Sequence, residues 1–276
     1  MNAGNPKTDS GPVAVRAAAT VILIDDRPDL QVFMMKRNAN TQFAGGMWVF
    51  PGGSVDEGDN AENYQRHCTH RSDAEASAQL SVARGGLAYY VAAIREAFEE
   101  AGILLALNRQ DESPLTLIAD DVRQRFDAWR DQVNDGTVDF LDVIDREGLL
   151  LDAGEIHYVA RWITPPGPPR RFDTRFFVTR MPASQNPIHD DSELVNSAWV
   201  TPQEVIARAR AREMGMLPPT LRMIECLAEY SSAAEVMAAA ALDSPYIRVP
   251  MGGAMADAAA GPSNAEPGWV KLNWPG

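Results

Sequence analysis

The sequence predicts an α/β fold: a mixed β-sheet sandwiched between helices, with additional helices around it. Three observations lead there. Short runs rich in Val, Ile and Phe recur at strand length, stretches with helical periodicity lie between them, and Gly, Pro and Asp clusters separate the two kinds. Such alternation is what a sheet covered by helices requires. The chain has 276 residues, more than a usual domain of about 100–200, but one elaborated α/β domain reaches this size. A single domain over residues 14–251 is therefore expected, with a flexible N-terminus over 1–13 and a tail over 252–276.

The elements follow in order. Ala18–Ile24 and Gln31–Lys36 flank the turn residues Asp25–Asp29, which predicts a hairpin. A loop, Asn38–Met47, leads into a strand at Trp48–Phe50 and the turn Pro51-Gly52-Gly53. The next stretch is polar to Arg71, becomes Ala/Ser-rich and helical over Asp73–Ala83, and breaks at Gly85-Gly86. Leu87, Val91, Ile94, Phe98 and Ala101 then recur at helical spacing and predict an apolar face packed on a core. Leu117–Val133 and Asp139–Arg146 read as helices, and Glu155–Ile163 and Phe172–Thr179 as strands joined by the Pro-rich loop 164–169. After a strand at Leu194–Val200, Thr201 caps a helix with Pro202 at its first position, and Pro218–Tyr230 forms another. The tail beyond Met251 is Gly/Ala/Pro-rich, with Trp269 and Trp274 as anchors to the body or to a partner.

A net charge of −13 argues against a protein that grips nucleic acid through its phosphates. It does not forbid a small phosphate-bearing substrate neutralised by metal and local Arg or Lys. Cys68 and Cys226 are far apart and form no disulfide framework, which suits a reducing compartment. No apolar run reaches the roughly 18 residues of a membrane span, and Met1–Val13 has no signal-peptide core. A cytoplasmic protein without a membrane partner is expected.

Residues 95–103 carry most of the functional information: Arg95-Glu96-Ala97-Phe98-Glu99-Glu100-Ala101-Gly102-Ile103. On a helix, Glu96, Glu99 and Glu100 fall at i, i+3 and i+4, so three carboxylates crowd onto one face. Like charges at that spacing repel, and a divalent cation is the natural compensation. Mg²⁺ takes carboxylate oxygens and keeps positions open for substrate phosphates and water. Arg95, four residues before Glu99, can hold one carboxylate in place. A solvated acidic helix face shows the same stripe. The upstream run Trp48-Val49-Phe50-Pro51-Gly52-Gly53 separates the two readings, because paired glycines let backbone approach a metal or phosphate closely.

These two pieces together resemble the Nudix box: Gly, five residues, Glu, seven residues, then Arg-Glu-apolar-x-Glu-Glu-x-Gly-apolar. Every defined position of the second half is met from Arg95 to Ile103; in the first half Gly53 matches the opening glycine and Asp59 stands where the family has Glu. The spacer departs from the pattern, with 35 residues from Asn60 to Ile94 in place of seven. An insertion inside the box, here at about 60–86, is similar to that of the coenzyme A diphosphatase subgroup. The bacterial coenzyme A-cleaving type carries an upstream Arg where this chain has Gln42, while Gly46 and Phe50 are in register.

The resemblance implies a Nudix-like α/β/α sandwich and a Mg²⁺- or Mn²⁺-dependent hydrolase acting on the diphosphate of a small-molecule nucleotide. Coenzyme A or acyl-CoA is favoured over ADP-ribose, NADH or dinucleoside polyphosphates. A non-catalytic nucleotide sensor has no need of three mutually repelling carboxylates. The same resemblance makes Glu99 and Glu100 metal ligands, Glu96 a further ligand or base, and the Gly52 carbonyl a backbone ligand. Arg95 orients the glutamates, pairing with Asp59 or, because Asp is short, with Glu57. The base in several family members comes from a loop outside the box, and Asp190, Asp191 and Glu193 are candidates, Glu193 preferred.

Arg170, Arg171 and Arg175 are candidates to hold phosphates, and strand alternation sends Arg171 and Arg175 to one face. Arg37 is assigned to substrate binding with them. Phe43 and Trp48 either stack on the substrate or belong to the core. His67-Cys68-Thr69-His70 offers three zinc-type ligands, but adjacent ligands do not readily close a tetrahedron. The insertion reads either as a lid over the substrate or as a homodimer contact.

Overall fold

In the computed structural model the described residues are 13–41, 44–187, 194–243, 245, 247–249 and 268–272. The expected hairpin forms from β1 (Val15–Asp26) and β2 (Leu30–Arg37), with Ile24 opposite Val32. β1 is the hub of the sheet. Ala19, Val21 and Leu23 enter one hydrophobic cluster, while Ile22 and Ile24 enter another. A strand buried on both faces needs helices on both, and the chain supplies them.

β3 (Trp48–Val49) pairs with β2, and β4 (Gly52–Ser54) pairs with β1. The Gly-Gly segment expected as a turn is thus a short strand, because its backbone groups find partners on β1. The insertion folds into α1 (Ala61–Tyr64), β5 (Cys68–Thr69) and α2 (Asp73–Leu80). Ser81 in the left-handed conformation stops α2 before Ala83. The long helix α3 (Leu87–Ala101) is followed by β6 (Ala106–Asn108), α4 (Asp120–Asn134), α5 (Phe140–Arg146) and β7 (Leu149–Asp152). β8 (His157–Ile163) and β9 (Arg171–Arg180) are the next pair, with β9 parallel to β1 and antiparallel to β8. β10 (Leu194–Val200), α6 (Pro202–Arg210), α7 (Pro218–Leu227), α8 (Ala233–Ala241), β11 (Ile247–Val249) and β12 (Gly268–Val270) complete the chain.

The main sheet runs β10-β2-β1-β9-β8-β12-β11, with β3 and β4 attached to β2 and β1. Helices α1 to α5 cover one face and α6 to α8 the other, giving the expected α/β/α sandwich. A second sheet, β5-β7-β6, was not legible in sequence. Its strands are two to four residues long, too short for a period-2 pattern to stand out. Helix α8 also escaped notice, since an Ala-rich run carries little amphipathic contrast. In the tail, Trp269 is half-buried on β12, opposite Arg161 of β8.

The insertion packs under α3. Tyr64, Ala76 and Leu80 are buried in the same cluster as Leu87, Val91 and Ile94. These residues form part of the scaffold that supports α3.

Candidate active site

Helix α3 is anchored at its start by the insertion. The Asp73 carboxylate accepts from the amides of Gly85 and Leu87, both at 3.0 Å, and the Ser77 hydroxyl accepts from Gly86 at 2.9 Å. Amides at a helix N-terminus have no partner within the helix, so these side chains satisfy them. At the other end Gly102, with φ 68°, sends its amide back to Ala97 and Phe98, the left-handed cap that glycine adopts without Cβ strain. Between these caps the apolar face is buried and the carboxylate stripe is held in a fixed place.

Arg95 is the centre of that stripe. Its Nε and Nη2 bind the two Asp59 oxygens at 2.9 and 3.0 Å, and Nη2 also donates to the Ser54 carbonyl at 3.0 Å. Nη1 reaches Glu96 at 3.0 Å and Glu99 at 3.1 Å. Asp59 is 1% exposed and Arg95 8%. Such a bidentate, desolvated pair fixes geometry strongly. The alternative partner Glu57 is exposed and Asp59 takes the contact. Its shorter side chain suffices because the turn Glu57–Asp59 carries it inward, where its Oδ2, already bound by Arg95 Nη2, also accepts from the Asp56 amide at 2.8 Å.

The remaining acid, Glu100, accepts from the Gly52 amide at 2.9 Å and lies 3.7 Å from Arg37. Gly52 thus ties β4 to α3 through its N–H. A Cβ on Gly53 would fall 2.3 Å from Glu96 Oε1, so the carboxylate rests directly on the glycine backbone. Burial raises the Glu96 carboxyl above its ordinary range against the opposing pull of Arg95, and Glu99 is raised for the same reasons.

This donor set fits a hard divalent cation. Glu96, Glu99 and Glu100 offer only oxygens, and five carboxylates, with Asp59 and the exposed Asp56, face the two guanidiniums of Arg95 and Arg37. Carboxylates outnumber guanidiniums, in a place where burial already penalises the charge of Glu96 and Glu99. Among the described residues no three His, Cys, Asp or Glu groups converge on one point. Arg95 stands between Glu96 and Glu99, and Glu100 is turned to Gly52.

A second set of side chains lies in line with Gly53. Gly53, Ala19, Arg175, Arg161 and Trp269 are directly opposite one another across β4, β1, β9, β8 and β12. Residues paired this way share a sheet face, and at about 4.8 Å per strand Arg175 stands roughly 10 Å from Gly53. Arg161 holds Asp173 with two bonds, at 2.8 and 2.7 Å, and Arg175 donates to the same carboxylate. One carboxylate between two guanidiniums leaves net positive charge. Aromatic rings back both cations, Tyr89 at 5.4 Å from Arg175 and Trp269 at 5.4 Å from Arg161. The Arg175 Nε is buried without a hydrogen bond.

Of the residues singled out by sequence, Arg95, Glu96, Glu99, Glu100, Gly52 and Arg37 come together. Arg175 lies along the adjoining row, with Arg171 two and four residues before Asp173 and Arg175, its Nε bonded to the Thr164 carbonyl at 2.9 Å. Phe43, Asp190, Asp191, Glu193 and Trp274 lie outside the described residues. Trp48 is buried in the core. His67 and His70 bond Asp145 and Asp152 instead of sharing a ligand. Arg161, Asp173 and Tyr89 escaped the sequence reading. The signal was there: Arg161 and Asp173 are charged residues within strands already recognised, and Tyr89 is two turns before Glu96 on one helix face.

Comparison with known proteins shows the family and the fold. The model of the NUDT19 Nudix domain matches residues 65–227. Acyl-coenzyme A diphosphatase NUDT19 of Xenopus laevis is 25% identical over 231 residues, covering 74% of this chain and 61% of that protein. The Homo sapiens protein of the same name is 25% identical over 270 residues, 82% of this chain and 72% of its own. The chain thus spans about three fifths of the frog relative. A crystal structure of a NUDIX hydrolase from Alicyclobacillus acidocaldarius superposes with a TM-score of 0.67 at 27% identity, over 82% of this chain and 96% of that one. Carrying the signature helix and a domain matched over more than half its length, the chain belongs to the NUDT19 Nudix domain family.

Proposed function

We propose that the chain is a Nudix diphosphatase that hydrolyses the diphosphate of coenzyme A or an acyl-CoA, with Mg²⁺ or Mn²⁺ as cofactor. The observation that carries this reading is the Arg95 hub, which holds Asp59, Glu96 and Glu99 around one guanidinium beside Gly53. A bound divalent cation supplies charge neutralisation on the diphosphate and a more acidic water. Glu96, Glu99 and Glu100 would hold it. Arg95 holds Glu96 and Glu99 side by side on α3, and a cation would take their oxygens as they turn from its guanidinium. Arg37, beside Glu100, and the Arg161–Arg175 row supply positive charge along the sheet for the remaining phosphates. Glu193, outside the described residues, stays the candidate base.

Coenzyme A is favoured by the long spacer inside the box and by the frog and human relatives, both acyl-coenzyme A diphosphatases by name. Cys68 and Cys226 are free thiols, which favours a reducing compartment such as the cytoplasm; fractionation of cells checks that placement. A panel of coenzyme A, acyl-CoA, ADP-ribose, NADH and dinucleoside polyphosphates with Mg²⁺ or Mn²⁺ tests the reaction. The expected outcome is metal-dependent cleavage of coenzyme A to 4′-phosphopantetheine and adenosine 3′,5′-bisphosphate, lost in Glu99→Gln while the melting temperature holds. Cleavage of another panel member alone overturns the substrate assignment, and full activity in Glu99→Gln overturns the ligand set.

A further inference from the structure

A cavity of about 680 Å³ opens between the C-terminal end of α2, the first residues of β8, the C-terminal end of α8 and Lys271, just past β12. Its volume is that of a small-molecule site. Gln79, Ser81, His157, Tyr158 and Lys271 are among its walls, and Arg71 reaches it by donating Nη1 to Gln79 Oε1 at 2.7 Å. The cavity is separate from the carboxylate stripe. Arg71 lies 4.7 Å over the ring of Tyr90, and Tyr90 precedes Glu99 by nine residues, roughly 13 Å along α3.

Its charge is opposite to that of the chain. Among the described residues, none of Arg71, His157 and Lys271 has a carboxylate within ion-pair distance. Backbone carbonyls hold the two cations instead: Arg71 Nε donates to Ala153 at 2.8 Å, and Lys271 Nζ to Ala240 at 3.1 Å. A neutral carbonyl fixes a cation without cancelling its charge. The His157 ring has no hydrogen-bond partner among the described residues. Burial first, then Arg71 and Lys271, lower its affinity for a proton, so the three basic groups feel one another. Asp243, exposed at the rim, is the acid nearest in effect to Lys271.

We propose that this cavity binds the phosphomonoester end of a small molecule, with Lys271 and His157 donating to its oxygens and Arg71 adding positive charge behind Gln79. A doubly charged oxyanion with three acceptor oxygens suits two donors in the cavity wall with a guanidinium behind them better than a carboxylate does. The Tyr158 ring and the Ala240–Ala241 wall would pack the apolar part. The site does not depend on the hydrolase reading.

Calorimetric titration of the full chain with phenyl phosphate in EDTA tests the proposal, with phenol as the uncharged control. Binding is expected for phenyl phosphate and not phenol. Affinity should fall about tenfold in Lys271→Met, the loss of one charge-assisted bond, and stay unchanged in Glu99→Gln. Ala78→Glu places a carboxylate at an exposed helical position on the cavity wall. It should weaken binding similarly, which keeps the test decisive if Lys271→Met folds poorly. Absence of binding at about 1 mM, or equal affinity in the wild type and both cavity variants, overturns the proposal. So does an anion lost in Arg161→Met but retained in the cavity variants, which places it on the diphosphate side.

Discussion

Replacing Gly53 with alanine should damage the site without altering a single charge. The new Cβ would stand 2.3 Å from Glu96 Oε1, 2.6 Å from its Cδ and 2.7 Å from Oε2, whereas ordinary contact starts at 3.4 Å. The carboxylate must therefore retreat by roughly 1 Å. It has little room, being 9% exposed and bonded to Arg95 at 3.0 Å. A 1 Å misplacement of a catalytic group costs about 100-fold, equivalent to about 2.7 kcal/mol of barrier. Steady-state kinetics on coenzyme A with Mg²⁺ should show kcat/KM down by about that factor, with a melting temperature near that of the wild type because the obstructed atoms end a side chain. Two neighbouring glycines calibrate the result. In Gly52→Ala the Cβ meets the Ala19 carbonyl at 2.6 Å and the Thr20 Cα at 2.7 Å, both backbone of β1, so stability should fall as well. At Gly58 nothing lies within 4 Å, and alanine there should be neutral. Activity within about threefold of wild type in Gly53→Ala, or an equal loss in Gly58→Ala, would refute the close-contact argument.

Three further outcomes are expected. Asp73→Ala leaves the Gly85 and Leu87 amides without their partner and should cost about 1–3 kcal/mol, read as a melting temperature lower by several degrees; an unchanged melt would mean that the insertion does not cap α3. Burial pushes both Cys68 and Cys226 up to about 12, so iodoacetamide at pH 8 should label neither thiol in the native protein and both in urea, by mass spectrometry. His157 has a lowered pKa, chiefly from burial, so the unfolded chain takes up its proton first. The associated stability is fully present above the unfolded value of about 6.5 and is lost as pH falls through the folded one. Melting temperatures of His157→Gln should therefore decline less than wild type between about pH 6.5 and 5; parallel curves would sink the assignment.

The parts of the fold that could be read in sequence are those with a repeated signal. Helix α3 announced itself by an apolar face of five residues, and the hairpin of β1 and β2 by two apolar runs rich in Val, Ile, Met and Phe around a turn. The carboxylate stripe was visible because helical spacing alone places Glu96, Glu99 and Glu100 together. Arg95's second partner was ambiguous, since side-chain reach depends on the turn Glu57–Asp59, which only the folded chain reveals. Asp73 had no signature as a partner of Leu87, fourteen residues on. It reads as an ordinary first-turn acid of α2, and it is that as well.

The same residue explains why the box can carry so long a spacer. An inserted segment that merely looped out would leave the amides at the start of α3 to water and free its first turn to fray. Here the segment returns to the helix it interrupts, caps it through Asp73 and Ser77, and buries Tyr64, Ala76 and Leu80 against its apolar face. The carboxylates are roughly two and a half to three and a half turns further along that rigid rod. Anything that loosens α2 is therefore felt at Glu96, and Asp73→Ala should lower kcat/KM by more than its loss of folded protein accounts for.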